Sequence, residues 1–201
     1  DRGNRNCAVL FPTNGVGMGH YARSYAIAMA LRRKDPSIEI VFFTTNYVLH
    51  PLYSEGMSAY HLPNRQKFEN MDARTWNLQC EEMLANVFSV HRPSIFIFDG
   101  AYPYRGMLNA IKTRSQTERI WIRRVTRKGK DSAPVDSFSH FDRIVVPGDL
   151  IDPDMEELAK WPVDEINLTP PLLSVSRNDL HPRGDLRMKL GIPSDATVCL
   201  V

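Results

Sequence analysis

His20, which follows a glycine-rich turn, and Asp99, which closes an apolar run, are the residues of this chain best suited to chemistry. Histidine is the usual general base near neutral pH, because its ring gains and loses a proton in that range. A carboxylate bonded to its second nitrogen fixes the tautomer and stabilises the imidazolium that forms. His20 ends the stretch Gly15-Val-Gly17-Met-Gly19-His20, between the apolar run Ala8-Val-Leu-Phe11 and an alanine-rich segment reaching Arg33. This pattern predicts a strand, a glycine turn and a helix from about residue 19 to residue 33. In a doubly wound sheet such a corner faces a ligand. The glycines admit close backbone approach, and the helix start offers unpaired N–H groups. Asp99 ends Ile95-Phe-Ile-Phe98, apolar on both faces as a central parallel strand is. In a sheet ordered 3-2-1-4 the first and fourth strands are neighbours, so His20 and Asp99 can meet at the switch point. The plainer alternatives are a histidine satisfied by its own turn and an aspartate serving as a turn residue before Gly100.

Other candidates surround this pair. Asn14, Gly15, Gly17 and Gly19 would shape the floor of a cleft. Tyr102 and Arg105 follow Asp99 and could line it, whereas Tyr104 fits the core. Arg123 and Arg124 open a basic run that reaches Lys130, just after the fifth strand. Arginine there suits bidentate recognition of a phosphate or carboxylate, and the alternative is a solvated loop. Two common nucleotide sites are excluded on specific residues. The spacing G-x-G-x-G-H is not the dinucleotide fingerprint, and the second strand ends Phe42-Phe-Thr-Thr45 without an acid. No Gly-Lys-Ser/Thr triplet supplies a phosphate-binding lysine loop.

The elements that must position these residues alternate regularly. Strands are expected at 8–11, 38–43, 58–62, 95–98, 119–122 and 143–146. Helices are expected between them, the longest from Ala73 to Arg92, where Trp76, Cys80, Met83, Leu84, Val87 and Phe88 recur at helical spacing. The fold class is α/β, a Rossmann-like doubly wound parallel sheet ordered 3-2-1-4-5-6. Asn167 to Leu173 reads as a proline-rich crossing segment, and Ala196–Val201 as a new strand. The expected division is a domain over 1–165, then a linker and the first strand of a further domain over 166–201, so the chain reads as a piece of a longer protein.

Composition narrows the function classes. The chain has 201 residues and a formal net charge of +2, with no interleaving of basic and aromatic residues, which argues against nucleic acid as a partner. Its apolar runs are too short to cross a bilayer, and membrane association is not otherwise indicated. The start, DRGNRN, has no hydrophobic signal region, and a cytoplasmic location is expected. Cys7, Cys80 and Cys199 are too scattered for a disulfide framework or a zinc site. Histidines 50, 61, 91, 140 and 181 lack the placement of His20 and read as surface residues.

The corner GVGMGHYARSYAIAMAL, the strands EIVFFTT and IFIFDG, and the tail LRMKLGIPSDATVCLV resemble the N-terminal half of a GT-B glycosyltransferase. The group most similar includes the peptidoglycan N-acetylglucosaminyltransferase and the galactolipid synthases. In layout the resemblance covers the whole chain, while its specific motifs are the first loop, Asp99 and the tail. It implies a nucleotide-sugar donor held mainly by a second domain, and a small-molecule, lipid or glycan acceptor held by this one. It also implies transfer without a metal or other cofactor, with His20 as base and Asp99 as its partner. Asn14, Gly15, Gly17, Gly19, Tyr102, Arg105, Arg123 and Arg124 would then lie on the acceptor side. The chain departs from the group in its interrupted glycines, which leaves the acceptor class open. Two alternatives stand beside transfer: a GT-B nucleotide-sugar 2-epimerase, and a non-catalytic ligand- or partner-binding α/β module.

Overall fold

The computed structural model describes residues 3–13, 17–125, 135–149, 153–175 and 179–199. Seven parallel strands form one sheet in the order β3-β2-β1-β4-β5-β6-β7. They are β1 (Arg5–Pro12), β2 (Glu39–Thr44), β3 (Ser58–His61), β4 (Pro93–Asp99), β5 (Glu118–Ile122), β6 (Arg143–Pro147) and β7 (Ile166–Thr169). Among the described residues six α-helices accompany them: α1 (Gly19–Lys34), α2 (His50–Ser54), α3 (Ala73–His91), α4 (Arg105–Lys112), α5 (Met155–Leu158) and α6 (Arg183–Lys189). No helix among the described residues is long and apolar enough to cross a membrane.

Strand alternation sorts the core into two layers. Val9, Phe11, Val41, Phe43, Phe96, Phe98 and Trp121 point to one face. There they meet Trp76, Cys80, Leu84, Val87 and Phe88 of α3, and Met107, Leu108 and Ile111 of α4. Ala8, Leu10, Ile40, Phe42, Ile97 and Ile122 point the other way, toward Tyr21 and Ala28 of α1 and Leu52 of α2. The central strands therefore carry large side chains on both faces, which is why β4 reads as unbroken apolar sequence. The local signals agree with this layering. Asp72 caps α3 by accepting a hydrogen bond from the Thr75 N–H, and Arg92 ends that helix in the left-handed region at φ 48°.

The structure corrects the sequence reading in three places. The segment after residue 165 continues the sheet: Ile166, Asn167, Leu168 and Thr169 pair in register with Ile144, Val145, Val146 and Pro147. A seventh strand thus stands where a crossing segment was expected. Residues 196–199 form no strand, because no neighbouring strand pairs with them, and residues 200–201 lie outside the described set. His91 is buried rather than on the surface. Its Nδ1 lies 2.7 Å from a Glu39 carboxylate oxygen and its Nε2 lies 2.8 Å from the Tyr60 hydroxyl. This network ties the end of α3 to β2 and β3.

Two cysteines share that protection. Cys7 and Cys80 are fully buried, and burial pushes each thiol up to about 12, with Glu39 adding to the effect at Cys7 and Glu81 at Cys80. Only the thiolate is an efficient nucleophile, so neither should react in the folded protein near neutral pH. Iodoacetamide at pH 8 is expected to label the exposed Cys199 first. Cys7 and Cys80 should join it only after denaturation. Peptide mass mapping reads this directly, and rapid native labelling of Cys80 would contradict the packing of α3.

Candidate active site

The carboxyl ends of β1 and β4 lie side by side, with Pro12 opposite Asp99 in register. The chain leaving β1 is tied across this gap by the Thr13 N–H, which donates to the Asp99 carbonyl at 2.9 Å. Gly100 then has to lie close to its neighbours. A Cβ there would come within 2.7 Å of both the Phe98 ring and the Thr13 side chain. The Trp121 indole N–H donates to the Gly100 carbonyl at 2.8 Å, which fixes the turn from β5. Asp99 is thus held at a defined height above the sheet, with no solvent exposure.

His20 comes from the first turn of α1, whose amino end has no acidic residue and no capping side chain. Its Nδ1 lies 2.8 Å from Asp99 Oδ1, across 79 residues of sequence. Arg23, one helical turn further on, closes the group. Its Nε donates to Asp99 Oδ2 at 2.8 Å and its Nη2 to Oδ1 at 2.5 Å. This is a bidentate charge-assisted pair, the strongest common form of side-chain hydrogen bonding. The His20 side chain is 27% exposed and that of Arg23 13%. Two groups compete for Nδ1: Asp99 Oδ1 at 2.8 Å can only accept its proton, and Arg23 Nη2 at 3.1 Å can only donate to its lone pair. The shorter contact, to the carboxylate, favours the Nδ1–H tautomer, which leaves a lone pair on Nε2. Among the described residues no hydrogen bond to Nε2 is found. Chemically, this is an oriented imidazole able to accept a proton from a molecule bound above the sheet.

A cleft of about 280 Å³ adjoins this triad, lined by Gly19, Ala22, Arg23, Arg124, Asp149 and Leu173 among others. Larger clefts of about 370 and 570 Å³ lie away from it, the first at the amino ends of β1 and β4 and the second beside residues 136–143. Asn46 at the end of β2 is buried, and its side-chain amide donates to the Met18 sulfur at 2.9 Å, just before α1. It occupies the place where a dinucleotide site would carry an acid.

The remaining sequence candidates divide. Gly17 and Gly19 sit at the start of α1, and a Cβ at either would meet nothing within 4 Å. Asn14 and Gly15 lie outside the described residues. Tyr102 is 40% exposed. Arg105 is exposed and pairs with Asp136 at 2.7 Å. Arg124 pairs with Asp149 at the mouth of the cleft. Arg123 is not part of an exposed basic loop. It is 2% exposed, and its guanidinium stacks on Trp161, Trp121 and Phe138 at 4.3, 4.7 and 4.9 Å from the ring centres. Three aromatic faces offset part of the cost of taking that cation out of water. Residues 126–130, the rest of the basic run, lie outside the described set.

One group of metal-ligand type occurs among the described residues, Cys7, Glu39 and His91, with ligand atoms within 4.8 Å of one another. It lies at the amino ends of β1 and β2, the opposite end of the sheet from His20. His91 and Glu39 are there engaged with each other and with Tyr60 and Arg5.

The same architecture occurs in known enzymes. A glycosyltransferase from Rickettsia africae superposes with a TM-score of 0.61 over 94% of this chain and 50% of its own, at 12% identity. The chain has the fold of a GT-B N-terminal domain. MurG from Acinetobacter baumannii gives a TM-score of 0.54 over 74% of this chain and 43% of its own, at 11% identity. The chain therefore spans about half the length of the solved structures it matches. No protein-family profile matches it, and no curated protein does. Arg23 is the member of this cluster that sequence reasoning missed. Its signal was its position three residues after His20, on the same helical face.

Proposed function

We propose that the chain is the acceptor-side half of a glycosyltransferase, which moves a sugar from a nucleotide sugar to a hydroxyl or amine of a small molecule, lipid or glycan. The observation that carries this reading is the 2.8 Å contact between His20 Nδ1 and Asp99, set at the switch point of this fold. His20 takes the acceptor proton on Nε2 as the nucleophile attacks the anomeric carbon, and the bond from that carbon to the diphosphate oxygen breaks, the nucleoside diphosphate leaving with the electron pair. Asp99 holds the ring and offsets the charge it gains. The donor is held mainly by a second domain, and no metal is assigned to the step.

The test uses the natural-length protein with UDP-N-acetylglucosamine, UDP-glucose and dTDP-glucose, each offered with pooled lipid and glycan acceptors. Acceptor-dependent release of the nucleoside diphosphate, with a glycosylated product found by mass spectrometry, is expected for one donor. Conversion of the donor to its 2-epimer without any transfer product would replace this reading with the epimerase one. Failure to bind any nucleotide sugar at millimolar concentration would leave the non-catalytic module.

A further inference from the structure

We infer that Arg23 is a positioning residue that sets both the direction and the charge of the His20–Asp99 pair. This rests on the reading of His20 as the base. Asp99 is fully buried, and both its oxygens are engaged: Oδ2 by Arg23 Nε, and Oδ1 by Arg23 Nη2 and by the imidazole. The planar fork fixes the plane of the carboxylate, which a single-point ammonium cannot do. Oδ1 becomes the one carboxylate oxygen presented to the ring.

Arg23 also shapes the charge. Its Nη2 lies 3.1 Å from His20 Nδ1, so the ring nitrogen faces an anion and a cation together. The Arg23–Asp99 pair is neutral as a whole. An imidazolium formed at His20 thus gains less from Asp99 than it would from a lone carboxylate. The other charged groups lining the adjoining cleft, Arg124 after β5 and Asp149 after β6, pair with each other. The end of β2 presents the uncharged Asn46. Among the described residues, Arg23 and Asp99 therefore set the local field at the ring.

Nuclear magnetic resonance of the natural-length protein labelled with ¹⁵N-histidine separates the two roles, with His20 assigned from the signal lost in His20→Gln. Arg23→Gln removes the cation, so the protonation midpoint of His20 should move to higher pH. Arg23→Lys keeps the charge but not the fork. Its midpoint should stay with the wild type, while the Nδ1–H form gives way to a mixture of tautomers. A midpoint in Arg23→Gln that is unchanged or lower overturns the charge role. A pure Nδ1–H tautomer in Arg23→Lys overturns the directing role. If Arg23→Gln does not fold, Arg23→Lys still decides through its tautomer. Failure of the transferase reading has a separate signature, a donor epimerised without transfer product or no nucleotide sugar bound, which this titration does not touch.

Discussion

In the natural-length protein, His20→Ala is expected to lower turnover by roughly a hundredfold to ten-thousandfold, the usual size of a general-base contribution. The loss should fall on kcat at saturating acceptor, because the group acts on the proton in flight rather than on resting substrate. Asp99→Asn is expected to cost less if Asp99 only orients the ring. It removes the carboxylate charge but can leave an oxygen at the position shared by Arg23 Nη2 and His20 Nδ1. Donor affinity should be nearly unchanged in both variants if a second domain holds the donor. Calorimetry with the donor, beside initial-rate kinetics, separates these effects. Near-normal turnover in His20→Ala would make His20 structural and the glycine turn a shape-giving corner.

The second large effect is on stability and is independent of function. Gly106 is where α4 presses on α3. A Cβ built there would sit 1.9 Å from the Asn77 carbonyl oxygen and 2.8 Å from its carbon. Both obstacles are backbone, so no rotamer change relieves them. The Gly106 N–H also accepts no slack, because it donates to the Asn77 side-chain oxygen at 2.7 Å. Gly106→Ala must push the helices apart and thin the layer formed by Trp76, Cys80, Met107 and Ala110. Overpacking of this kind costs typically about 1–3 kcal/mol and sometimes more, and contact with unyielding backbone places this case at the upper end. Urea unfolding should show a lower midpoint with little change in slope. A midpoint equal to that of the wild type would mean that the two helices are not packed as described.

Much of the fold was legible because six of the seven strands carry their own signal. The apolar runs at Ala8–Phe11, Phe42–Phe43 and Ile95–Phe98 mark the strands buried on both faces, and right-handed crossovers then leave few possible orders. Strand β7 was not legible, because Ile166-Asn-Leu-Thr169 is short, half polar and at the sheet edge. Its pairing depends on β6 rather than on its own pattern. The same limit applies to side chains whose setting comes from distant sequence. His91 owes its burial to Glu39 and Tyr60, 52 and 31 residues away. Arg123 owes its cage in part to Phe138 and Trp161, which belong to later segments. His20 and Asp99 could be paired from sequence because the strand order brings the ends of β1 and β4 together. Arg23 adds a third member that helical spacing alone places beside His20.

The central claim is that Asp99 holds His20 with Nδ1 protonated and Nε2 available as a base. The long-range ¹H–¹⁵N spectrum of the natural-length wild-type protein reads this without any substrate, above the pH at which His20 protonates. The account predicts a His20 signal pattern of the Nδ1–H tautomer, with an unprotonated Nε2, and its loss in Asp99→Ala. A His20 ring carrying its proton on Nε2 would contradict it, because the lone pair would then sit on Nδ1, facing Asp99 and Arg23 rather than an acceptor.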